Sequence, residues 1–269
     1  MTNRSGVERR EDTSNRGMID LHSHVLPGLD DGARGLADAV EMARSMAADG
    51  VTIVCGTPHV RDDYPTAVET MREALGLVRA AVADAGIPID VRGGGEIALD
   101  LLPALDAVTR ARFGLGGNPL LLLLESPYTN WPLDLPRTCA QLLLDHIVPV
   151  LAHPERNPQV QEEPAVLAEA VRVGAYVQLT AASVDGRLGR GSASCARRLL
   201  ELELAHCIAS DAQGPGVREA GMSAAAKAVG GGEMARWLTY DVPAALLAGR
   251  PLPRRPPLPR RGLIGRLRG

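Results

Sequence analysis

Met18-Ile-Asp-Leu-His-Ser-His-Val-Leu-Pro-Gly-Leu-Asp-Asp-Gly32 is the stretch from which the fold is read. Ile19 and Leu21 belong to a short apolar strand that ends in His22-Ser23-His24, and a turn closes on Asp30-Asp31-Gly32. Side chains alternate along a strand, so histidines two residues apart project to the same side. That spacing suits two ligands on one metal ion. A chance His-x-His in a polar loop is the competing reading, and the rest of the chain has to decide between them.

Beyond this stretch an apolar run followed by an amphipathic helix recurs. Strands are expected at about 18–22, 51–55, 89–92, 120–124, 148–152, 176–179 and 207–209. Helices are expected at about 36–48, 66–85, 99–110, 136–146, 165–173 and 193–204, with shorter ones near 218–228 and 233–238. Strands that read as near-continuous apolar runs are buried on both faces, as in parallel sheets. About seven strand–helix units predict an α/β fold and favour a closed barrel over a doubly wound open sheet. No G-x-G-x-x-G opens a helix after the first strand, which disfavours the dinucleotide-binding form of the open sheet.

Composition narrows the function. The chain has 269 residues, 45% of them hydrophobic, enough for one large domain with a buried core. Residues 1–17 read as a disordered leader, 18–249 as the domain, and 250–269 as a disordered Pro- and Arg-rich tail. Met18 is a candidate native start. The net charge is −3, but the tail carries seven arginines and no acid, which leaves 22 basic against 32 acidic residues, or −10, for the remainder. An acidic body with 3% aromatics excludes charge-driven or stacking-driven nucleic-acid binding. The tail is expected to be extended and unpacked, a solubilising segment or a peripheral contact for an acidic surface. None of Cys55, Cys139, Cys195 and Cys207 forms a C-x-x-C pair, which fits a reducing cytoplasm. The longest apolar run, 119–124, is far short of the ~20 residues of a membrane span, and no signal peptide is visible.

In α/β barrels the active site lies at the C-terminal ends of the strands. Six of the seven expected strand ends deliver a metal-type ligand: His22 and His24, His59, Glu96, Glu125, His153 and Asp211, a set holding four of the six histidines. Scattered histidines would not collect in this way, and the convergence favours a metal site. His146 and His206 lie at strand entries instead and read as capping or surface residues. Mixed imidazole and carboxylate ligands suit Mn²⁺, Zn²⁺ or Fe ions. Seven or more ligands imply two or three clustered ions, which clamp a phosphoryl group and make hydroxide available near neutral pH.

Taken in order, His22-Ser-His24, Thr57-Pro-His59, Gly95-Glu96, His153-Pro-Glu-Arg156 and Ser210-Asp-Ala-Gln213 resemble the polymerase-and-histidinol-phosphatase (PHP) metallo-phosphoesterase superfamily. With the opening Asp-Asp-Gly, and Glu125 where a His would stand at the fourth strand, the chain resembles more specifically the bacterial tyrosine-protein phosphatases of capsule and exopolysaccharide loci. The resemblance covers about residues 18–245. It implies a distorted (β/α)₇ TIM-like barrel with a trinuclear, usually manganese, centre. By motif, His22, His24, Glu96 and Asp211 would hold one ion; Glu96, Glu125 and His153 a second; Asp31 and His59 a third. Gln213 stands where the family's last ligand is a His, and a carboxamide oxygen binds transition ions more weakly than imidazole. Arg156 and Asp211 are assigned to catalysis, with Arg156 and Arg61 on substrate phosphate. Tyr64 and Tyr128 are candidates to cover an aryl ring, packing beneath loops being the more ordinary role.

The expected activity is metal-dependent hydrolysis of phosphotyrosine on a protein such as the tail of a bacterial tyrosine autokinase controlling polysaccharide export. The rivals are a small-molecule phosphatase of the histidinol-phosphate type and a metal-stabilised binding module with weak catalysis.

Overall fold

A computed structural model of the chain describes residues 17–214 and 219–258; the proposed leader, up to residue 16, lies outside them. Strand β1 (Met18–Ser23) leads through the Asp30-Asp31 turn into helix α1 (Leu36–Ala48). Strands β2 (Val51–Gly56), β3 (His59–Arg61) and β4 (Tyr64–Pro65) follow, then α2 (Val68–Asp84). Next come β5 (Asp90–Gly93), β6 (Glu96–Ala98), α3 (Ala107–Arg112) and β7 (Leu121–Glu125). Helix α4 (Leu135–Leu144), β8 (Val148–Ala152), α5 (Pro158–Glu162), α6 (Ala168–Val173) and β9 (Tyr176–Thr180) continue the alternation. It ends with α7 (Ala181–Val184), α8 (Arg190–Glu201), β10 (Cys207–Ala209), α9 (Met222–Ala228), α10 (Gly232–Arg236), a π-helical turn (Trp237–Asp241) and α11 (Val242–Leu247).

The fold is mixed α/β, and every strand pair is parallel except β3 with β4. Among the described residues the strands form two sheets, ordered β1-β2-β5 and β10-β9-β8-β7-β6-β3-β4. Where one expected strand ran from 51 to 55 and another from 89 to 92, each chain segment forms two strands. The breaks match: Gly56 pairs with Gly93 in the first sheet, and three residues further on His59 pairs with Glu96 in the second. Chemistry explains the step. Pro58 has no N–H to extend the ladder, and its carbonyl accepts from Glu96 N (3.0 Å) instead. Across the other break, a Cβ on Gly95 would lie 2.8 Å from the Phe113 ring and 3.0 Å from Val60, so only glycine lets the chain shift there. His59 and Glu96 thus open new strands and do not hang from loops, which corrects the expectation.

At the end of β1 the two sheets are linked by hydrogen bonds. Asp211 N donates to His22 O and His24 N to Ala212 O, both at 2.8 Å, and Ser23 and Ala212 form an isolated parallel bridge. The core is aliphatic: Leu121 through Leu124 are all buried, so β7 is covered on both faces, as its unbroken apolar run predicted. The expected helix over 99–110 is a single 3₁₀ turn (Leu102–Ala104) followed by α3, whose N-cap Asp106 accepts from Thr109 N (2.7 Å). Among the described residues no helix is long and apolar enough to cross a membrane.

The tail departs from expectation. Pro251–Leu258 carries no regular structure, yet it is docked. Arg255 Nη1 donates to Ala205 O (2.6 Å) and Nη2 to Leu200 O (2.9 Å). The guanidinium lies 5.0 Å from the Trp237 ring centre, and Trp237 Nε1 donates to Pro253 O (3.0 Å). The Arg fork thus satisfies one carbonyl in the last turn of α8 and one just before β10, and it holds the segment down. Residues 259–269 lie outside the described residues.

Candidate metal centre

The ends of β1, β7 and β8, the starts of β3 and β6, and the residues after β10 bring the expected ligands to one place. His22 Nε2 lies 3.3 Å from Glu96 Oε2 and 3.7 Å from Asp211 Oδ1. His24 Nε2 lies 3.6 and 3.3 Å from the same two atoms. His59 Nδ1 is 2.9 Å from Glu96 Oε2 and 3.5 Å from Glu125 Oε2, and its Nε2 is 3.7 Å from Asp31 Oδ1. His153 Nε2 donates to Glu96 Oε1 (2.8 Å). All are buried except Asp31, which is exposed. His153 (φ 33°) and Asp211 (φ 51°) both sit in the left-handed region, an unfavourable conformation of the kind found where a side chain is aimed for function.

Four groups of side chains could each hold an ion: His22, His24 and Glu96; His22, His153 and Asp211; His24, Asp31 and His59; and His59, Glu96 and Glu125. In this grouping His59 joins Glu96 and Glu125, whereas motif order had placed His153 with them. Gln213 directly follows the Ala212 bridge and is half-buried. The donor chemistry fits divalent cations. His22 Nε2, His24 Nε2, His59 Nδ1, Glu96 Oε2 and Glu125 Oε1 are buried and make no hydrogen bond. Each such atom is costly to bury, by about 1–3 kcal/mol, unless something else satisfies it. The cysteines are all buried and free, and none joins these groups.

Electrostatics runs the same way. Burial opposes charge on His22, but the Glu96 and Asp211 carboxylates outweigh it and raise its pKa. His24 is raised further by Asp211 and Asp30. Burial also opposes the Glu96 carboxylate, but His22 and His153 hold its pKa well below the usual range. The site therefore favours deprotonated carboxylates facing electropositive partners.

Three residues that the sequence reading missed orient this set. His24 Nδ1 is 2.6 Å from Asp30 Oδ2, and the same carboxylate accepts from Gly32 N and His59 N (both 3.0 Å). His22 Nδ1 is 3.1 Å from Gln178 Oε1. With Nδ1 bound in each ring, Nε2 is the atom left to face a cation. Asp20 is fully buried at the base; its Oδ1 accepts from Ser210 N (2.9 Å) and His22 N (3.2 Å), tying β1 to the end of β10. A polar residue between apolar neighbours within a strand, as Asp20 is between Ile19 and Leu21 and Gln178 between Val177 and Leu179, was the available signal.

Two guanidiniums stand beside the cluster. Arg156 Nη1 donates to Asp211 Oδ2 (2.6 Å), while Glu155 turns away to accept from Thr180 N (2.9 Å). Arg61 Nη1 donates to Glu125 Oε2 (3.3 Å), and its Nε and Nη2 bind Asp63. Tyr64 stacks on His59 (5.6 Å between centroids, 18°). Tyr128 does not pack beneath a loop: it is 47% exposed.

Comparison with known proteins now has a geometry to meet. Residues 18–248 match the family described as capsular polysaccharide synthesis, CpsB/CapC. The chain belongs to the CpsB/CapC family. It is 33% identical to the tyrosine-protein phosphatase YwqE of Bacillus subtilis, over 92% of this chain and 99% of that one. It is 25% identical to the tyrosine-protein phosphatase CpsB of Streptococcus agalactiae, over 75% of this chain and 85% of that one. A crystal structure from work on B. subtilis YwqE and Streptococcus pneumoniae CpsB, described as unique metal-dependent tyrosine phosphatases, superposes with a TM-score of 0.78 at 31% identity. That match covers 90% of this chain and 99% of the other. The CpsB/CapC match thus spans every residue of the candidate centre.

Proposed function

We propose that this chain is a metal-dependent protein-tyrosine phosphatase. The observation that carries the proposal is the cluster of buried imidazole and carboxylate atoms that make no hydrogen bond, with two arginines at its edge, in a member of a family whose relatives are named tyrosine-protein phosphatases. His22, His24, Asp31, His59, Glu96, Glu125, His153 and Asp211 would hold two or three ions, with Gln213 as a weaker donor. Manganese is favoured by the mix of nitrogen and oxygen donors without thiolate, and Zn²⁺ or Fe would also suit it. When bound, the cations supply Lewis acidity and a hydroxide nucleophile near neutral pH.

The chain's own groups supply the rest. Arg156 presents a planar fork that matches phosphate oxygens, and Arg61, its own fork held by Asp63 and Glu125, adds positive charge beside it; both neutralise charge gathering on the transferring group. Arg156 also holds Asp211 by one oxygen. Gln178 and Asp30 fix the imidazoles of His22 and His24 for metal binding. The leaving phenolate has a pKa near ~10 and needs less protonation than an alkoxide. The substrate would be phosphotyrosine on a protein such as the tail of a bacterial tyrosine kinase, in the cytoplasm, where four buried free thiols are at home. The two sheets are read as one distorted (β/α)₇ barrel, supported by the matched steps from β2 to β3 and β5 to β6 and by the hydrogen bonds between β1 and the residues after β10.

The test is Mn²⁺-dependent turnover of a phosphotyrosine peptide beside histidinol phosphate, with metal content measured on the same protein. Two or three ions per chain and preference for the peptide are expected. Preference for histidinol phosphate would transfer the site to small-molecule hydrolysis, and bound ions with no turnover of any aryl phosphate would leave a binding module.

A further inference from the structure

The turn from His153 to Arg156 holds a carboxylate that the metal centre does not explain. Glu155 is fully buried, yet among the described residues it joins none of the four ion-holding groups. Taking a carboxylate out of water is costly, so its place in the turn calls for a reason. Its Oε1 accepts from Thr180 N (2.9 Å), where β9 gives way to α7. Its main-chain carbonyl accepts from Gln161 Nε2 (2.9 Å). Side chain and backbone of Glu155 are therefore both fixed.

Asn157, also buried, fastens the other side of the turn. Its Oδ1 accepts from Gln159 N (2.9 Å) and Val160 N (3.4 Å) at the start of α5, and its Nδ2 donates to Pro127 O (2.9 Å), just past β7. Arg156 lies between the two fastenings. The turn closes through Arg156 N to His153 O and Asn157 N to Pro154 O, both 3.0 Å, and it starts from the left-handed backbone of His153. Such a conformation persists only where its surroundings over-determine it. Arginine has many rotamers, and only from a fixed main chain does its guanidinium reach Asp211 Oδ2 (2.6 Å) reproducibly. His153 depends less on these fastenings, because β8 leads directly into it and its Nε2 is held by Glu96.

We infer that Glu155 is a positioning residue. By clamping the turn to β9, with Asn157 as its counterpart beside β7, it sets the Arg156 fork against the phosphoryl group. The inference rests on the phosphatase reading above and adds to it a residue that acts only through another.

The experiment uses the full chain with Mn²⁺, unsubstituted and as Glu155→Ala, Glu155→Asp and Glu155→Gln, each alone and combined with Arg156→Ala. Turnover of phenyl phosphate, calorimetric binding of inorganic phosphate and Mn²⁺ content are measured. Glu155→Ala should lower kcat/KM on the order of 10²-fold, the scale of a fork displaced by about 1 Å, with the ion content unchanged. In the Arg156→Ala background the same substitution should cost little more, because the group it places is gone. Glu155→Gln keeps an oxygen for Thr180 N and should keep most of the activity. Where Glu155→Ala does not fold, Glu155→Asp, whose shorter arm draws the oxygen back from Thr180 N, is read in its place. A residue that merely supports the fold would cost the same factor in both backgrounds. That result, loss of bound Mn²⁺ with Glu155→Ala, or a Glu155→Gln as impaired as Glu155→Ala would overturn the inference. If phenyl phosphate is not turned over, the phosphatase reading falls and phosphate affinity decides. A loss of affinity that disappears in the Arg156→Ala background supports the clamp. Equal loss in both backgrounds, no loss, or no phosphate binding by the unsubstituted chain overturns it.

Discussion

At one end of the strands, His22, His24, His59, Glu96 and Glu125 bury atoms that make no hydrogen bond. At the other end, polar atoms are tied off. His206 N donates to Val177 O (2.9 Å), Val177 N donates back to His206 Nδ1 (3.1 Å), and Arg255 satisfies two carbonyls. Both ends hold histidine and arginine, yet burial acts on them differently. At the ligand end, carboxylates outweigh desolvation and raise His22 and His24. At the closed end no carboxylate does so: burial, then the charge of Arg255, lowers His206 to about 4. One end leaves donors waiting for a cation, and the other contributes to holding the domain together.

That contrast can be broken by substitution. Glu96→Gln strikes the residue shared by two of the ion-holding groups, and should reduce Mn²⁺-dependent turnover on the order of 10³-fold, read as kcat/KM on an aryl phosphate. Gln178→Leu leaves the ligands in place but frees the His22 ring. It should weaken Mn²⁺ binding roughly 10- to 100-fold by calorimetry, with a smaller change in the melting temperature of the metal-free protein. Arg255→Ala acts at the closed end. It should cost about 2–3 kcal/mol in denaturant unfolding through two lost charge-assisted hydrogen bonds, while Mn²⁺ affinity stays the same.

The smallest effect sharpens the contrast through pH. His206 is lowered in the folded state, so the unfolded chain binds more protons between about pH 4 and 6.5, and stability falls as pH drops through that window. His206→Leu should remove about 1–2 kcal/mol of that acid-side loss, seen as a flatter stability curve between pH 7 and 5. A curve as steep as the parent's would show that other groups set the acid limit.

The sequence made the ligand end legible because most of its chemistry, His59 and Glu96 apart, sits at strand ends, where apolar runs stop. The bounds of α1, β8 and β10 agree with the expected 36–48, 148–152 and 207–209; glycine or polar residues frame α1 and β10, and His153 ends β8. What escaped was non-local. The paired steps at Pro58 and Gly94-Gly95 depend on Phe113 and Val60 packing against bare backbone. Asp30 and Gln178 act through imidazoles, Gln178 from 156 residues away. The helix expected near 233–238 continues through a π-helical turn into α11, which the sequence reading did not include. Docking of Pro253 and Arg255 needs Trp237 and two carbonyls that no local pattern announces.

The fastening of Arg255 also fixes where the domain can be held. Met18 begins β1 at the end where Arg255 grips Ala205, so these two residues lie on the side facing away from the ligands. A linker, fusion partner or solid support joined near either residue would leave the mouth of the site pointing into solution.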